Sequence, residues 1–202
     1  MSLSVSLMKG EIEMAYIWYV GYGSNLHEQR FLCYIKGGTP RFGKKCTKGC
    51  KDKTLPTENK PIIINYPLYF ALPGNNGETP NWGAGGVAFI DPQEDKNLKA
   101  FCRMWKITKE QYKEVRDQEG RSWYGKEIPL GEDSGVPIYT ITNDAILCNI
   151  ICPSDGYIRT IALGLKETYN FNDEQIVDYL IEKKGIRGSQ RKDVMLKMMA
   201  SL

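Results

Sequence analysis

The chain has 202 residues, 42% apolar and 25% charged, with a formal net charge of +3. That balance is too apolar for a disordered chain and fits one folded domain that buries about 70% of its unfolded surface. The mild charge gives no argument for nucleic acid or a membrane surface, and no apolar run approaches the ~20 residues a bilayer span requires.

Residues 1–14 lack a basic segment followed by a long apolar core, so they read as a leader or cloning remnant and not as a signal peptide. Residues 15–22 are β-branched and aromatic, as in a buried strand. Asn25 and Glu28 then stand in capping-box spacing ahead of Phe31 and Leu32, which predicts a helix. Residues 37–60 read as loop. Between Arg41 and Lys60 lie seven Lys/Arg against Asp52 and Glu58, a local excess of five. Strands are predicted over 62–71, 86–91 and 101–107.

Thr108 and Gln111 form a second capping box, opening a helix that runs to about residue 118. Strand-like runs follow at 123–130, 137–142 and 145–151. Asn172 and Gln175 cap a helix with Ile176, Val177, Leu180 and Ile181 on one face, closed by Lys183, Lys184 and Gly185. A last helix over 190–200 lies in a C-terminal helical tail, 185–202. Several short strands with few intervening helices do not give the strict alternation of a doubly wound sheet, so the expected class is α+β on a mixed or barrel-like sheet. One domain spans 1–202.

The stretch Y-V-G-Y-G-S-N-L, residues 19–26, marks a tight turn with chemistry to assign. Gly21 and Gly23 supply half of a dinucleotide fingerprint, but its third glycine would fall on Leu26, and no G-K-[ST] loop appears. Ser24 lacks the flanking glycines of a nucleophile elbow, having Tyr22 and Leu26 instead. The chain has one histidine, His27, which removes histidine-rich metal sites and is expected to face solvent in the first turn of a helix. Cys46 and Cys50, like Cys148 and Cys152, have loose zinc-ligand spacing, but the second pair falls in a strand-like run as core residues do. The six cysteines, with no export signal, read as reduced thiols of a cytoplasmic protein. The basic loop lacks interleaved aromatics for stacking bases, so it is a solvated loop or one that steers an acidic substrate.

Glu119 is the notable carboxylate. It follows a predicted helix and precedes Gly120, so it faces the negative end of the helix dipole, a cost of about 0.3–1 kcal/mol that raises its pKa. Trp123 and Tyr124 would add desolvation in the same direction. A glutamate pushed toward neutrality suits general acid/base work at pH 7. The plainer alternative is an exposed helix-end glutamate paired with Arg116 or Arg121.

Three separated motifs stand in order: Y-G-S-N-L at 22–26, D-Q-E-G at 117–120 and P-S-D-G-Y at 153–157. Over about residues 16–180 the chain resembles the gamma-glutamylcyclotransferase-like family. The resemblance implies an α+β fold with a small mixed β-barrel and flanking α-helices. It implies an enzyme that cyclises a γ-glutamyl group to 5-oxoproline and frees the attached amine, with no metal or cofactor. Glu119 would be the catalytic acid/base. Tyr19, Val20, Gly21, Tyr22, Gly23 and Ser24 would hold the γ-glutamyl group, largely through backbone, and Tyr157 would close over or position it. The two glycines would let the backbone approach a small zwitterion, with Tyr22 as a wall and Asn25 mainly a cap supporting the site. The alternative is a non-catalytic module that binds a γ-glutamyl-like ligand. The expected partner is a small γ-glutamyl molecule, with neither nucleic acid nor membrane, and a homodimer is the oligomer considered. The segment between the first helix and Gly86 is longer than in the compact animal enzymes of that family, which leaves the departing amine open. Tyr124, spaced more closely to Glu119 than in those enzymes, receives no role.

Overall fold

A computed structural model describes residues 15–73 and 80–202. The expectations for 1–14, and for the part of the long segment at 74–79, lie outside those residues. In chain order the elements are β1 (Tyr16–Gly21), a single 3-10 turn (Ser24–Leu26), α1 (Glu28–Lys36), β2 (Glu58–Ile64), β3 (Leu68–Ala71), β4 (Val87–Ile90) and β5 (Ala100–Thr108). They continue with α2 (Lys109–Glu119), β6 (Lys126–Asp133), β7 (Val136–Thr142), α3 (Asp155–Tyr169), α4 (Asp173–Ile181) and α5 (Lys192–Met199). The order β2-β5-β1-β7-β6 makes a five-stranded mixed sheet, in which β1 pairs antiparallel with β5 and parallel with β7. β3 and β4 form a separate antiparallel pair.

β1 is central and covered on both faces, which is why its sequence is a nearly unbroken apolar run. Trp18 and Val20 point into the larger core with Phe70, Phe89, Ile158 and Ile161. Ile17 and Tyr19 point the other way, into a cluster with Phe31, Trp105 and Val115. No helix among the described residues is long and apolar enough to cross a membrane.

The expected barrel does not close among the described residues. β2 and β6 are the sheet edges, tied by an ion pair from Lys60 Nζ to Asp133 Oδ2 at 2.6 Å, and not by backbone pairing. Each edge carries a proline, Pro61 in β2 and Pro129 in β6, which cannot donate to a ladder, and β6 shifts register between Pro129 and Glu132. The run 62–71 is likewise two strands in two sheets, divided at residues 65–67, where Pro67 stands. Residues 145–151 form no strand beyond a single bridge between Ala71 and Ile150. Cys148 is accordingly exposed and Cys152 half-buried, where a buried strand face was expected.

Two of the three capping boxes form. Thr108 and Gln111 exchange reciprocal bonds of 3.1 Å at the start of α2, and Asn172 and Gln175 do so at 2.9 Å at the start of α4. The box at Asn25 and Glu28 does not form, because the 3-10 turn intervenes and α1 begins after His27. The Glu28 N–H is instead met from α3, by Glu167 Oε2 at 2.9 Å. His27 is buried and not solvent-facing, with Nδ1 2.8 Å from Glu167 Oε1. Arg103 of β5 completes the brace, bonding Glu167 at 3.1 Å, Glu28 at 2.9 Å and the Leu26 carbonyl at 3.3 Å.

Burial pushes the Glu167 carboxyl up, but the hydrogen bonds from His27 and the Glu28 N–H, with the fields of His27 and Arg103, outweigh it and hold its pKa below the ordinary value. A carboxyl depressed in the folded state contributes stability above its unfolded pKa of about 4.3, and that contribution fades as pH falls through the folded value. Glu167→Gln should therefore be less stable than the wild type at neutral pH, with the gap narrowing in acid below about pH 4. Urea midpoints measured across pH check this. A gap that stayed constant into acid would remove the Glu167 charge from the brace.

Candidate active site

A cleft of about 490 Å³ opens where β1 ends, within the size range of small-ligand sites. The end of β1 and the 3-10 turn form one wall, α1 and the end of α2 a second, and β4 with the start of α3 a third. Each wall is positioned by a local sequence feature. Gly120, at φ +84°, stops α2 immediately after Glu119, and Ser154 caps α3 by accepting from the Tyr157 N–H at 3.4 Å.

Glu119 is partly buried in this cleft and held by neutral donors. Its Oε1 accepts from the Tyr19 hydroxyl at 3.3 Å and from Asn25 Nδ2, and its Oε2 accepts from the Tyr34 hydroxyl at 2.8 Å. Asn25 Nδ2 also donates to the Tyr19 oxygen at 2.9 Å. Burial, with the nearby Glu119 charge, pushes the Tyr19 phenol well above its ordinary range. Burial does the same at Tyr34 and prevails over Arg30, which pulls the other way. Both hydroxyls therefore remain protonated donors at neutral pH.

The helix-end ion pair considered for Glu119 is not made. Arg116 binds Glu127 at 2.9 Å and Arg121 binds Asp117 at 2.7 Å. The rest of the D-Q-E-G motif is structural. Gln118 Nε2 donates to the Tyr34 carbonyl at 3.0 Å while its Oε1 accepts from the Gly49 N–H at 3.0 Å, fixing the end of α2 against α1. Trp123 and Tyr124 line the same cleft as Glu119.

Of the loop residues singled out in the sequence, Tyr19, Gly21, Tyr22, Gly23 and Ser24 line the cleft, as does Tyr157. Val20 does not: strand alternation turns it into the larger core. Tyr22 forms a wall and is anchored by donating to the Ile141 carbonyl at 2.7 Å. Asn25 does not cap a helix; its side chain reaches Glu119 and Tyr19, and Oδ1 has no partner among the described residues. Tyr157 is buried, accepts from the Ala88 N–H at 3.1 Å, and packs edge-on against Trp82 with centroids 5.3 Å apart.

The glycines that line the cleft also serve packing. A Cβ on Gly21 would stand 2.7 Å from Asn25 Cβ, and one on Gly23 would stand 2.8 Å from the Tyr157 oxygen and 2.9 Å from Ala88 Cβ. Both are needed to let the protein pack against itself. Lys45, Cys46 and Thr47 of the basic segment reach the rim, as do Pro80, Asn81 and Trp82. The Lys44 N–H donates to the Asn81 carbonyl at 2.8 Å, joining the two rim segments.

Sequence reasoning missed Arg30, Tyr34 and Trp82. A signal for the first two was present: with a helix over these residues, Arg30 and Tyr34 fall at i, i+4 on the face shared with Phe31 and Ile35, where a buried arginine is out of place. Gly23→Ala should cost about 1–3 kcal/mol in a denaturant melt, because its methyl overpacks Tyr157 and Ala88. Unchanged stability would mean that the turn has room and that its glycine serves ligand approach.

No family model matches the chain. Among curated proteins it is similar to histone deacetylase 5 of Arabidopsis thaliana, 28% identical over 202 residues that cover 81% of this chain and 30% of that protein. The chain thus spans less than a third of the length of that relative. Among solved structures it is similar to a gamma-glutamyl cyclotransferase, with a TM-score of 0.55 and 20% identity, covering 90% of this chain and 98% of the other. An uncharacterized protein of Homo sapiens matches with a TM-score of 0.51 and 20% identity over the same shares. At that identity the likeness is one of fold: the chain has the gamma-glutamyl cyclotransferase-like fold that its three sequence motifs resemble.

Proposed function

We propose that this cleft cyclises γ-glutamyl compounds, releasing 5-oxoproline and the amine that the γ-carboxyl carried. The observation that carries the reading is Glu119, a partly buried carboxylate in the cleft, bonded by two phenols and an amide. A carboxylate accepts about four hydrogen bonds, and three come from the protein, so one position remains for a substrate ammonium. The unpartnered Asn25 Oδ1 offers a second acceptor beside it.

The reaction is intramolecular. Glu119 takes a proton from the substrate α-ammonium, and the freed amine attacks the γ-carbonyl carbon. The carbonyl π electrons move to oxygen, giving a tetrahedral oxyanion. Collapse of that species expels the leaving nitrogen, which takes the proton from Glu119, and the ring nitrogen then gives its second proton to the regenerated carboxylate, which passes it to the released amine. No separate nucleophile is consumed, and the main demand is folding the substrate into attack geometry, worth up to about 7–11 kcal/mol in favourable intramolecular cases. Tyr157, whose oxygen already accepts from the Ala88 N–H, keeps its own proton to donate to the oxyanion, and the backbone of the 3-10 turn lies alongside. The rim built from the basic segment and Trp82 would contact the departing amine.

The test is 5-oxoproline release from glutathione, γ-glutamyl-alanine, γ-glutamyl-lysine and a bulky γ-glutamyl amine. Turnover on at least one is expected, falling about 10²–10⁴-fold in Glu119→Gln with the fold retained. Wild-type rates in that variant would overturn the mechanism. Silence across the panel with 5-oxoproline still bound would leave a non-catalytic binding module.

A further inference from the structure

Arg30 lies in the wall of the cleft with its side chain almost sealed from solvent, the residue being 5% exposed. Its guanidinium carbon sits 4.0 Å above the Tyr34 ring and 5.6 Å from the Trp82 ring centre, and Nη2 donates to the Tyr34 hydroxyl. Nε and Nη1 have no partner among the described residues, and none of the ion pairs there includes Arg30. A buried cation without a carboxylate is costly, and stacking on two aromatic faces offsets only part of that cost. The neighbouring anion is Glu119, but the two charges do not pair. The Tyr34 oxygen stands between them, accepting from Arg30 and donating to Glu119 Oε2 at 2.8 Å.

We infer that Arg30 binds the α-carboxylate of the substrate, so that Arg30 and Glu119 together read the head of an α-amino acid, carboxylate to one and ammonium to the other. This rests on the γ-glutamyl reading above and names what selects that group. The ammonium and carboxylate of an α-amino acid share one carbon, and the two protein charges share one phenol oxygen. A zwitterion laid across Tyr34 meets opposite charge at both ends. It also supplies the buried guanidinium with the anion that the protein does not provide. The unpartnered Nε and Nη1 of Arg30 carry the free N–H donors, and the charge-assisted bonds such donors make are among the stronger ones available to a ligand. A compound that keeps the reacting amine and amide but lacks the α-carboxylate leaves Arg30 unpaired, which the site resists.

The test uses the full chain and substrates that differ in one group. A γ-glutamyl amide is compared with the 4-aminobutyryl amide of the same amine, which can cyclise but has no α-carboxylate. In parallel, binding of 5-oxoproline is compared with binding of 2-pyrrolidinone by calorimetry. The wild type should prefer the carboxylate-bearing member of each pair by at least about 10–100-fold. Arg30→Gln should reduce that preference to within a few-fold, and Arg30→Lys, which keeps the charge, should fall between. A preference undiminished in Arg30→Gln, with 5-oxoproline still released, would overturn the assignment and keep the reaction. Arg30-dependent binding of 5-oxoproline without turnover of any γ-glutamyl compound would keep the assignment and remove the reaction. Should Arg30→Gln fail to fold, the wild-type comparison and Arg30→Lys still decide, since a wild type indifferent to the α-carboxylate refutes the inference.

Discussion

The close approach of α3 to the turn that follows β1 is the constraint on which the site depends. At Gly164 an added Cβ would stand 2.4 Å from Leu26 Cβ and 2.5 Å from the His27 nitrogen, so only a bare backbone lets the helix sit there. Pressed from that side, the turn is held from the other by Trp105, whose indole N–H donates to the Asn25 carbonyl at 3.0 Å. Glu167, one helical turn beyond Gly164, then reaches both His27 and the first N–H of α1. The backbone of residues 24–28 is fixed between α3 and β5. The Asn25 side chain is left on the open side, toward Glu119.

Charge distribution follows from the same packing. Arg103 is taken up by Glu28 and Glu167, Arg116 by Glu127 and Arg121 by Asp117. These pairings keep three arginines away from Glu119 and surround it with groups that donate hydrogen bonds without neutralising it. Arg30 is separated from Glu119 by the Tyr34 hydroxyl and not joined to it. A direct ion pair would satisfy both groups internally and leave little for a ligand to gain. Held apart, each presents an unspent charge in a partly dry cleft, where electrostatic interactions exceed their strength in water. Bonds from buried side chains also spare the site reorganisation when charge moves.

What the sequence disclosed divides by range. The boxes at Thr108 and Asn172 were legible because both partners lie within one turn of the same helix. Asn25 presented the same spacing and failed, because the 3-10 turn moves the start of α1 past His27 and the side chain turns to donate to Glu119, 94 residues away. His27 was misjudged for the same reason, its partner Glu167 lying 140 residues off. Glu119 could be found because Gly120 marks the helix end that exposes it. The barrel could not be judged from strand count, since closure depends on edge hydrogen bonds that Pro61 and Pro129 cannot supply. Val20 shows the finer limit: a motif names a stretch of chain, but strand alternation sends its neighbours to opposite faces.

The glycines bear on where recognition resides. Gly21 and Gly23 are crowded by Asn25, Tyr157 and Ala88, and neither has the positive φ that would by itself demand glycine. They allow three walls of the cleft to meet without a gap, which locks Asn25 and Tyr157 in place. A loop packed that tightly has little freedom to mould itself around a ligand. On the proposed reading, discrimination would then come from fixed polar groups at defined positions: the Glu119 carboxylate, the Asn25 side-chain Oδ1, the Tyr157 hydroxyl and the Arg30 guanidinium. Such a site rejects a molecule that leaves one of them unpaired more sharply than one that is merely the wrong size. On the proposed reading the inner part of the cleft would take one small polar head, and the rim formed by residues 45–47 and 80–82 would meet the departing amine.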